Sequence, residues 1–163
     1  MKEFVRIFKS PQGDIYHITL SEEISILSAE TLQTIKGTDL IGIDLRRLAG
    51  NHSAGHDVLH AIEDTIANYF LQRENIIICY YCDFINPIPR TMKNAMPPQE
   101  YRSLLFEKMF QRYTQLHKIK NIHLSVVEIN GMNESYYFHV IYHERQKQIA
   151  SIIANDLREG YGK

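Results

Sequence analysis

Two histidines spaced four residues apart form the most metal-like pattern in this chain of 163 residues. His56 and His60 stand in the segment His-Asp-Val-Leu-His, and helical spacing would place them on one face together with Glu63. Imidazole nitrogens and carboxylate oxygens are common zinc ligands. The same face borders an apolar stripe, however, so we expect the polar flank of a helix and no bound metal.

The two cysteines have a Cys-x-x-Cys spacing that could serve redox or zinc chemistry. Cys79 and Cys82 lie within Ile-Ile-Ile-Cys-Tyr-Tyr-Cys, which is typical of a buried strand, and strand residues three apart point to opposite faces. The sequence contains no second pair to complete a zinc site. We therefore expect two structural thiols, a usage typical of a reducing cytoplasm.

A charged residue inside an apolar stripe marks a third candidate. Arg102 falls in the middle of the stripe of a helix predicted over 99–117, which consists of Tyr101, Leu104, Leu105, Met109, Tyr113 and Leu116. Because a buried guanidinium needs a partner, we expect it to pair with Asp83 at the end of the preceding strand. With Arg90 from the proline-containing loop 87–98, this pair is either a ligand site or a structural latch.

Charge is unevenly distributed, although the formal net charge is only −1. Residues 86–120 contain seven Lys and Arg residues against two Glu, whereas residues 14–44 contain six acidic residues against one Lys. The basic segment predicts a face that receives a phosphorylated cofactor, an RNA or an acidic protein partner. The alternative is an ordinary solvated surface.

Alternation and helical periodicity predict the elements that must position these residues. Strands are expected over 3–9, 14–20, 40–45, 76–83, 122–129 and 135–143, with 21–37 ambiguous, and helices over 56–73, 99–117 and 146–158. The order β-β-(β)-β-α-β-α-β-β-α indicates an α/β (α+β) fold with a mixed, twisted sheet. Two strand–helix–strand crossovers predict a parallel core, and two hairpins predict antiparallel flanks.

Composition limits the possible classes of protein. Hydrophobic residues make up 44% and charged residues 23% of the chain, which excludes a disordered or fibrous protein. The near-neutral charge excludes a histone-like phosphate binder. The longest apolar run, 76–82, is too short to cross a membrane. We expect a single cytoplasmic domain spanning residues 1–163 that does not bind a membrane.

Three short sequence segments in the middle of the chain resemble an uncharacterised bacterial family of domains of unknown function. The similar segments are Thr-Ile-Ala-Asn-Tyr-Phe at 65–70, Ile-Ile-Ile-Cys-Tyr-Tyr-Cys-Asp at 76–83, and Arg-Ser-Leu-Leu-Phe at 102–106, continuing to Phe110. This resemblance implies no activity.

The predicted element order is similar to the acetyl-CoA-dependent N-acetyltransferase fold. In that family a Q/R-x-x-G-x-G/A loop offers backbone N–H groups to the cofactor pyrophosphate, and here Arg47-Leu48-Ala49-Gly50-Asn51-His52 matches at the Arg and the first Gly. His52 stands where Gly or Ala is expected. The resemblance implies acyl-CoA as the cofactor, Asp44 or His52 as the base, a tyrosine that returns the proton, and a cofactor-binding set of Arg46, Arg47, Gly50, Asn51 and Gly55.

Two functions of different classes therefore remain open. The first is a divergent acyl-CoA-dependent N-acyltransferase that uses the loop after residue 45. The second is a non-enzymatic module that binds a protein or RNA partner through the basic segment 86–120. The two functions predict different binding surfaces, the loop after residue 45 for the first and the segment 86–120 for the second.

Overall fold

A computed structural model of the chain describes residues 3–52, 55–82, 97–133 and 135–161. Six strands form one mixed sheet, β1 (Phe4–Lys9), β2 (Ile15–Glu22), β3 (Asp39–Ala49), β4 (Ile76–Cys82), β5 (Ile122–Asn130) and β6 (Ser135–His143). Their order across the sheet is β1-β2-β3-β4-β6-β5. Four helices cover it, α1 (Ala29–Thr34), α2 (His56–Leu71), α3 (Pro98–Leu116) and α4 (Lys147–Tyr161). The predicted mixed α+β fold is confirmed.

The first hairpin forms because its turn closes on itself. The backbone N–H of Ser10 donates to the carbonyl of Asp14 at 2.8 Å, and Gly13 takes a φ of +90°, which a residue without a side chain tolerates. β1 and β2 are antiparallel along their length, from the Phe4–Leu20 pair to the Lys9–Ile15 pair. This places the Ser10–Asp14 turn at the same end of the sheet as the end of β3.

Helices pack on both faces of the sheet. On one side, α2 and α3 cover Ile18, Leu20, Ile41, Ile78 and Ile141, and this is called the α2–α3 face below. On the other side, α1 and α4 cover a cluster that includes Leu40, Ile77, Val127, Phe138, Val140, Ile153 and Leu157, and this is the α1–α4 face. Burial of these aliphatic side chains is the main favourable contribution to folding. The sheet is therefore the middle layer of three.

A parallel core was predicted, and this prediction is wrong in part. Only β3 and β4 form a parallel pair among the described residues. The crossover through α3 leads to β5, but β6 returns between β4 and β5 and pairs antiparallel with both. Because β6 lies between them, β5 runs parallel to β4 but does not pair with it. The sequence pattern does not show whether β6 pairs between β4 and β5 or at the outer edge of the sheet.

The inner face of α3 also differs from the predicted stripe. Gln99 and Ser103 are buried, with Phe106 and Phe110 packed behind them, whereas Leu104 and Leu116 are exposed. Polar side chains point inward because the sheet offers them partners: Gln99 Nε2 donates to the Ser135 carbonyl at 3.2 Å. Arg102 consequently lies beside the inner face, partly buried, and not in its middle.

Candidate functional site

The two parallel strands separate at their carboxyl ends. Their ladder begins at Asp39 and Ile76 and ends at Gly42 and Cys79, although β3 continues to Ala49 and β4 to Cys82. Beyond this point β3 pairs only with β2, and β4 only with β6, among the described residues. The backbone groups that face the gap have no strand partner within the described ranges. We call this gap the fork.

A tight loop follows the β3 arm of the fork. Gly50 has a φ of +92°, and a Cβ atom there would lie 1.4 Å from Asp14 Oδ1 and 2.9 Å from the Asp14 Cα. Only glycine fits this close approach. Asp14 is 1% exposed, its backbone N–H donates to Ser10 Oγ at 3.0 Å, and its Oδ2 has no hydrogen-bond partner in the described part of the chain. The loop therefore lies directly on a buried carboxylate.

His52 and Arg47 hold this loop in place. His52 Nδ1 lies 3.2 Å from Asp14 Oδ1, and the Arg47 guanidinium donates to the His52 carbonyl. The positive charge of Arg47 would partly offset the negative charge of Asp14, which on its own opposes anion binding. Three residues of the predicted set thus meet here, Arg47, Gly50 and His52.

Arg46 and Asp44 lie elsewhere. The loop predicted over 46–55 is shorter than expected, because β2 pairs with β3 as far as Ala49 and keeps Arg46 and Arg47 in the strand. Neighbouring strand residues point to opposite faces. Arg46 accordingly pairs with Asp44, Nε to Oδ2 at 2.7 Å, on the face that Leu40 and Gly42 share. The two predicted bases are therefore separated: Asp44 is on the α1–α4 face, and His52 contacts Asp14 beside the α2–α3 face.

The loop leads into the N-terminus of α2. Gly55 is the N-cap and makes no side-chain hydrogen bond, so the N-cap residue itself leaves the first N–H groups of this 16-residue helix without a side-chain acceptor. Asn51 is exposed between Gly50 and His52. Uncapped N–H groups and the helix dipole favour an anion at this position.

The predicted pair between Asp83 and Arg102 cannot be placed, because Asp83 and Arg90 lie outside the described residues. Arg102 is on α3 and is partly buried. The proline-containing loop 87–98 is described only from Pro97 onwards. The structural latch and the ligand site predicted for this pair therefore both remain predictions.

The structure shows one buried polar pair that the sequence analysis missed. Ser103 Oγ and His139 Nε2 are 2.9 Å apart, and the two residues are 4% and 0% exposed. Burial lowers the pKa of His139 to about 4, while hydrogen bonds with the backbones of Tyr80 and Ser103 act in the opposite direction. His139 is therefore neutral at pH 7. The position of His139 among the aromatic residues of β6 was visible in the sequence, but its partner Ser103 on α3 was not.

Thiol and metal chemistry receive little support from the described residues. Cys79 is buried and unpaired, and burial, with a smaller effect of Glu23, raises the pKa of its thiol to about 12. Within the described ranges no three His, Cys, Asp or Glu side chains are grouped as metal ligands. Glu63, part of the predicted set with His56 and His60, accepts a hydrogen bond from Arg112 at 2.9 Å.

The basic segment is partly described. Lys108, Arg112, Lys118 and Lys120 are exposed along α3 and just after it, and Arg112 also pairs with Glu63. Arg90 and Lys93 lie outside the described residues. The described part is an exposed, basic helix surface, distant in sequence from the loop at Gly50.

Comparisons with protein-family models, with curated proteins and with solved structures find no significant match to this chain. In the described ranges, no helix combines the length and the apolar composition that crossing a bilayer requires. Inferences about function therefore depend on the geometry of the chain itself.

Proposed function

We propose that the chain binds an acyl-CoA at the fork and transfers the acyl group to an amine. The observation that supports this proposal is the end of the parallel ladder at Gly42 and Cys79 while both strands continue. CoA has an extended arm with amide groups and a thioester at its end. An arm of this kind could occupy the gap and hydrogen bond to the backbone groups of β3 that have no strand partner among the described residues.

The loop after β3 gives this proposal its second element. The arm of CoA joins a pyrophosphate, and the fork leads to Gly50 and to the first turn of α2, whose N-cap Gly55 supplies no side-chain acceptor. Backbone N–H groups at a helix N-terminus bind phosphate through hydrogen bonds and the helix dipole. In this proposal Arg47, Asn51 and Gly55 surround the pyrophosphate, while Gly50 keeps the loop close to Asp14.

Asp44 is the better placed of the two predicted bases. It lies two positions beyond Gly42, on the arm of the fork, and is half exposed. Asp44 pairs with Arg46 at the protein surface, whereas His52 lies at the loop and contacts the buried Asp14 carboxylate. In the proposed reaction the Asp44 carboxylate takes a proton from the ammonium group, the amine nitrogen forms a bond to the thioester carbonyl, and the carbon–sulfur bond breaks. The thiolate then leaves, and the second proton that the nitrogen loses as the amide forms reaches the sulfur through water.

Calorimetric titration with acetyl-CoA tests the proposal, and neighbouring arginines supply a matched pair of variants. Arg47→Gln should weaken binding by about 10-fold or more, since it removes a cation beside the loop. Arg46→Gln, on the opposite face of the same strand, should change affinity by less than about 2-fold. Asp44→Asn should leave binding intact and reduce acyl transfer to a panel of amines. Absence of binding at millimolar acetyl-CoA, or equal effects of both arginine variants, would contradict the proposal.

The alternative function, a partner-binding module that uses the basic segment, stays a prediction. A pull-down with the native protein and with Arg90→Glu plus Lys93→Glu separates it from the acyl-CoA proposal. Recovery of the same proteins and RNA by both baits would count against the basic segment.

A further inference from the structure

A group of aromatic rings lies beside the fork on the α1–α4 face. Phe138 is its floor, with 2% of its surface exposed. The Tyr81 ring lies 4.9 Å from Phe138, centroid to centroid, and the Tyr161 ring lies 5.3 Å from it. Tyr81 and Tyr161 are 42% and 45% exposed. The Tyr136 ring lies 6.4 Å from the Tyr81 ring, centroid to centroid.

The Glu23 carboxylate lies over Gly42, on the same face of the sheet as these rings. Because Gly42 has no side chain, Glu23 occupies the space above it: a Cβ atom at Gly42 would be 3.1 Å from Glu23 Cβ and 3.3 Å from its Oε2. The Glu23 backbone N–H donates to the Leu40 carbonyl at 2.8 Å, and Ser25 Oγ donates to Glu23 Oε1 at 2.5 Å. Glu23 is therefore held in position by its neighbours.

The strand register brings this carboxylate near the rings, because Gly42 beneath Glu23 pairs with Cys79 of β4. Burial is the larger cause of the raised pKa values of Cys79 and Tyr161, and the negative charge of Glu23 raises both further. Cys79 precedes Tyr81 by two residues and points to the same face. In the described part of the chain, no Lys, Arg or His forms an ion pair with Glu23.

From this arrangement we infer that Glu23, Tyr81 and Tyr161 form a binding site for an organic cation of the alkylammonium class, with Phe138 as its floor. The faces of tyrosine rings attract a cation, and a nearby carboxylate adds a direct Coulomb attraction. Calcium and magnesium require several oxygen ligands, whereas this site offers one carboxylate among rings. A phosphate or carboxylate ligand would be repelled by Glu23. The inference does not depend on the acyl-CoA proposal, because the cation would bind to the protein alone.

Choline and 3,3-dimethylbutan-1-ol make a suitable pair of probes, because they have nearly the same shape and differ in charge. Titration of the intact protein, followed by backbone amide NMR, should show saturable choline shifts at Glu23, Gly42, Tyr81 and Tyr161. The neutral alcohol should bind about 10-fold more weakly or not at all, as expected where the cationic charge supplies about 1.4 kcal/mol or more. This comparison needs no variant.

Variants of matched chemistry complete the test. Glu23→Gln should weaken choline binding by about 10-fold, whereas the neighbouring exposed residue Glu22, changed to Gln, should leave it within about 2-fold. Tyr161→Phe keeps the ring and should bind choline, while Tyr161→Leu should not. Equal binding of the alcohol, unchanged affinity in Glu23→Gln, or shifts confined to another surface would overturn the inference.

Discussion

His139 of β6 and Ser103 of α3 are hydrogen-bonded across the interface between helix and sheet, with 2.9 Å between Nε2 and Oγ. Phe106 on the same helix packs against the His139 ring at 5.1 Å and stacks on Tyr80 at 4.8 Å. The imidazole thus fills a space among aromatic rings and satisfies its polar atoms locally. A neutral ring suits this environment, whereas a charged ring would be costly there.

The lowered pKa of His139 predicts that stability falls in mild acid. In the unfolded chain a histidine has an ordinary pKa near 6.5, while the folded protein resists protonation until about pH 4. Between these values the unfolded state binds more protons, so the free energy of unfolding decreases as the pH falls. The decrease should approach about 1.4 kcal/mol per pH unit from this one residue. Urea denaturation between pH 7.5 and pH 4.5 measures it.

Histidine variants identify the source of this pH dependence. His139→Gln should be less stable at pH 7.5 and should lose most of the steep decrease between pH 6.5 and pH 4.5. His143, whose pKa is also lowered by burial and by Arg145, should leave a smaller residual slope. His117→Gln, at an exposed position after α3, should retain the full wild-type dependence. An unchanged slope in His139→Gln would show that other groups cause the acid sensitivity.

The contact between Gly50 and Asp14 predicts an unusually costly glycine substitution. Gly50→Ala should destabilise the protein by clearly more than the roughly 1–2 kcal/mol of a left-handed backbone alone, because its Cβ would overlap Asp14 Oδ1. Gly13→Ala is the matched control, since Gly13 has a similar φ of +90° but nothing within 4 Å of its Cβ position. Thermal or urea denaturation of both variants makes the comparison. Equal losses would mean that the loop does not lie on Asp14.

Burial of Cys79 predicts a thiol that does not react in the native protein. The thiolate is the reactive form, and a pKa near 12 leaves almost none of it at pH 8. Iodoacetamide followed by peptide mapping should label Cys79 only after denaturation. Rapid labelling of Cys79 under native conditions would contradict its placement at the end of the parallel ladder.

Much of the fold was predictable because local patterns determine it. Alternation and turn residues located both hairpins, and apolar spacing located α2 to within about two residues at its end. The insertion of β6 between β4 and β5 was not predictable, since the pairing of strands distant in sequence leaves no local signal. For α3 the apolar stripe was misleading: its buried positions include Gln99 and Ser103, whose partners are sheet groups that the helix sequence does not reveal.

The candidate site was predictable at Gly50 and Arg47, which belong to one short motif. Asp14 was not, because it lies in the first hairpin and reaches the loop only through the antiparallel pairing of β2 with β3. The same pairing extends β3 to Ala49, so the side chains of Arg46 and Arg47 point to opposite faces of the sheet. Glu23 also gave no signal, since its position depends on the missing side chain of Gly42.

The most direct test of the central claim is a backbone amide NMR titration of the native protein with acetyl-CoA. If the cofactor occupies the fork, the largest shifts should occur at Ile43, Asp44 and Tyr80 and around Gly50 and Asn51, with saturation at a single dissociation constant. Amides along α3 near Lys108 and Arg112 should stay unchanged. Shifts confined to α3, or no saturable shift at millimolar acetyl-CoA, would contradict acyl-CoA binding at the fork.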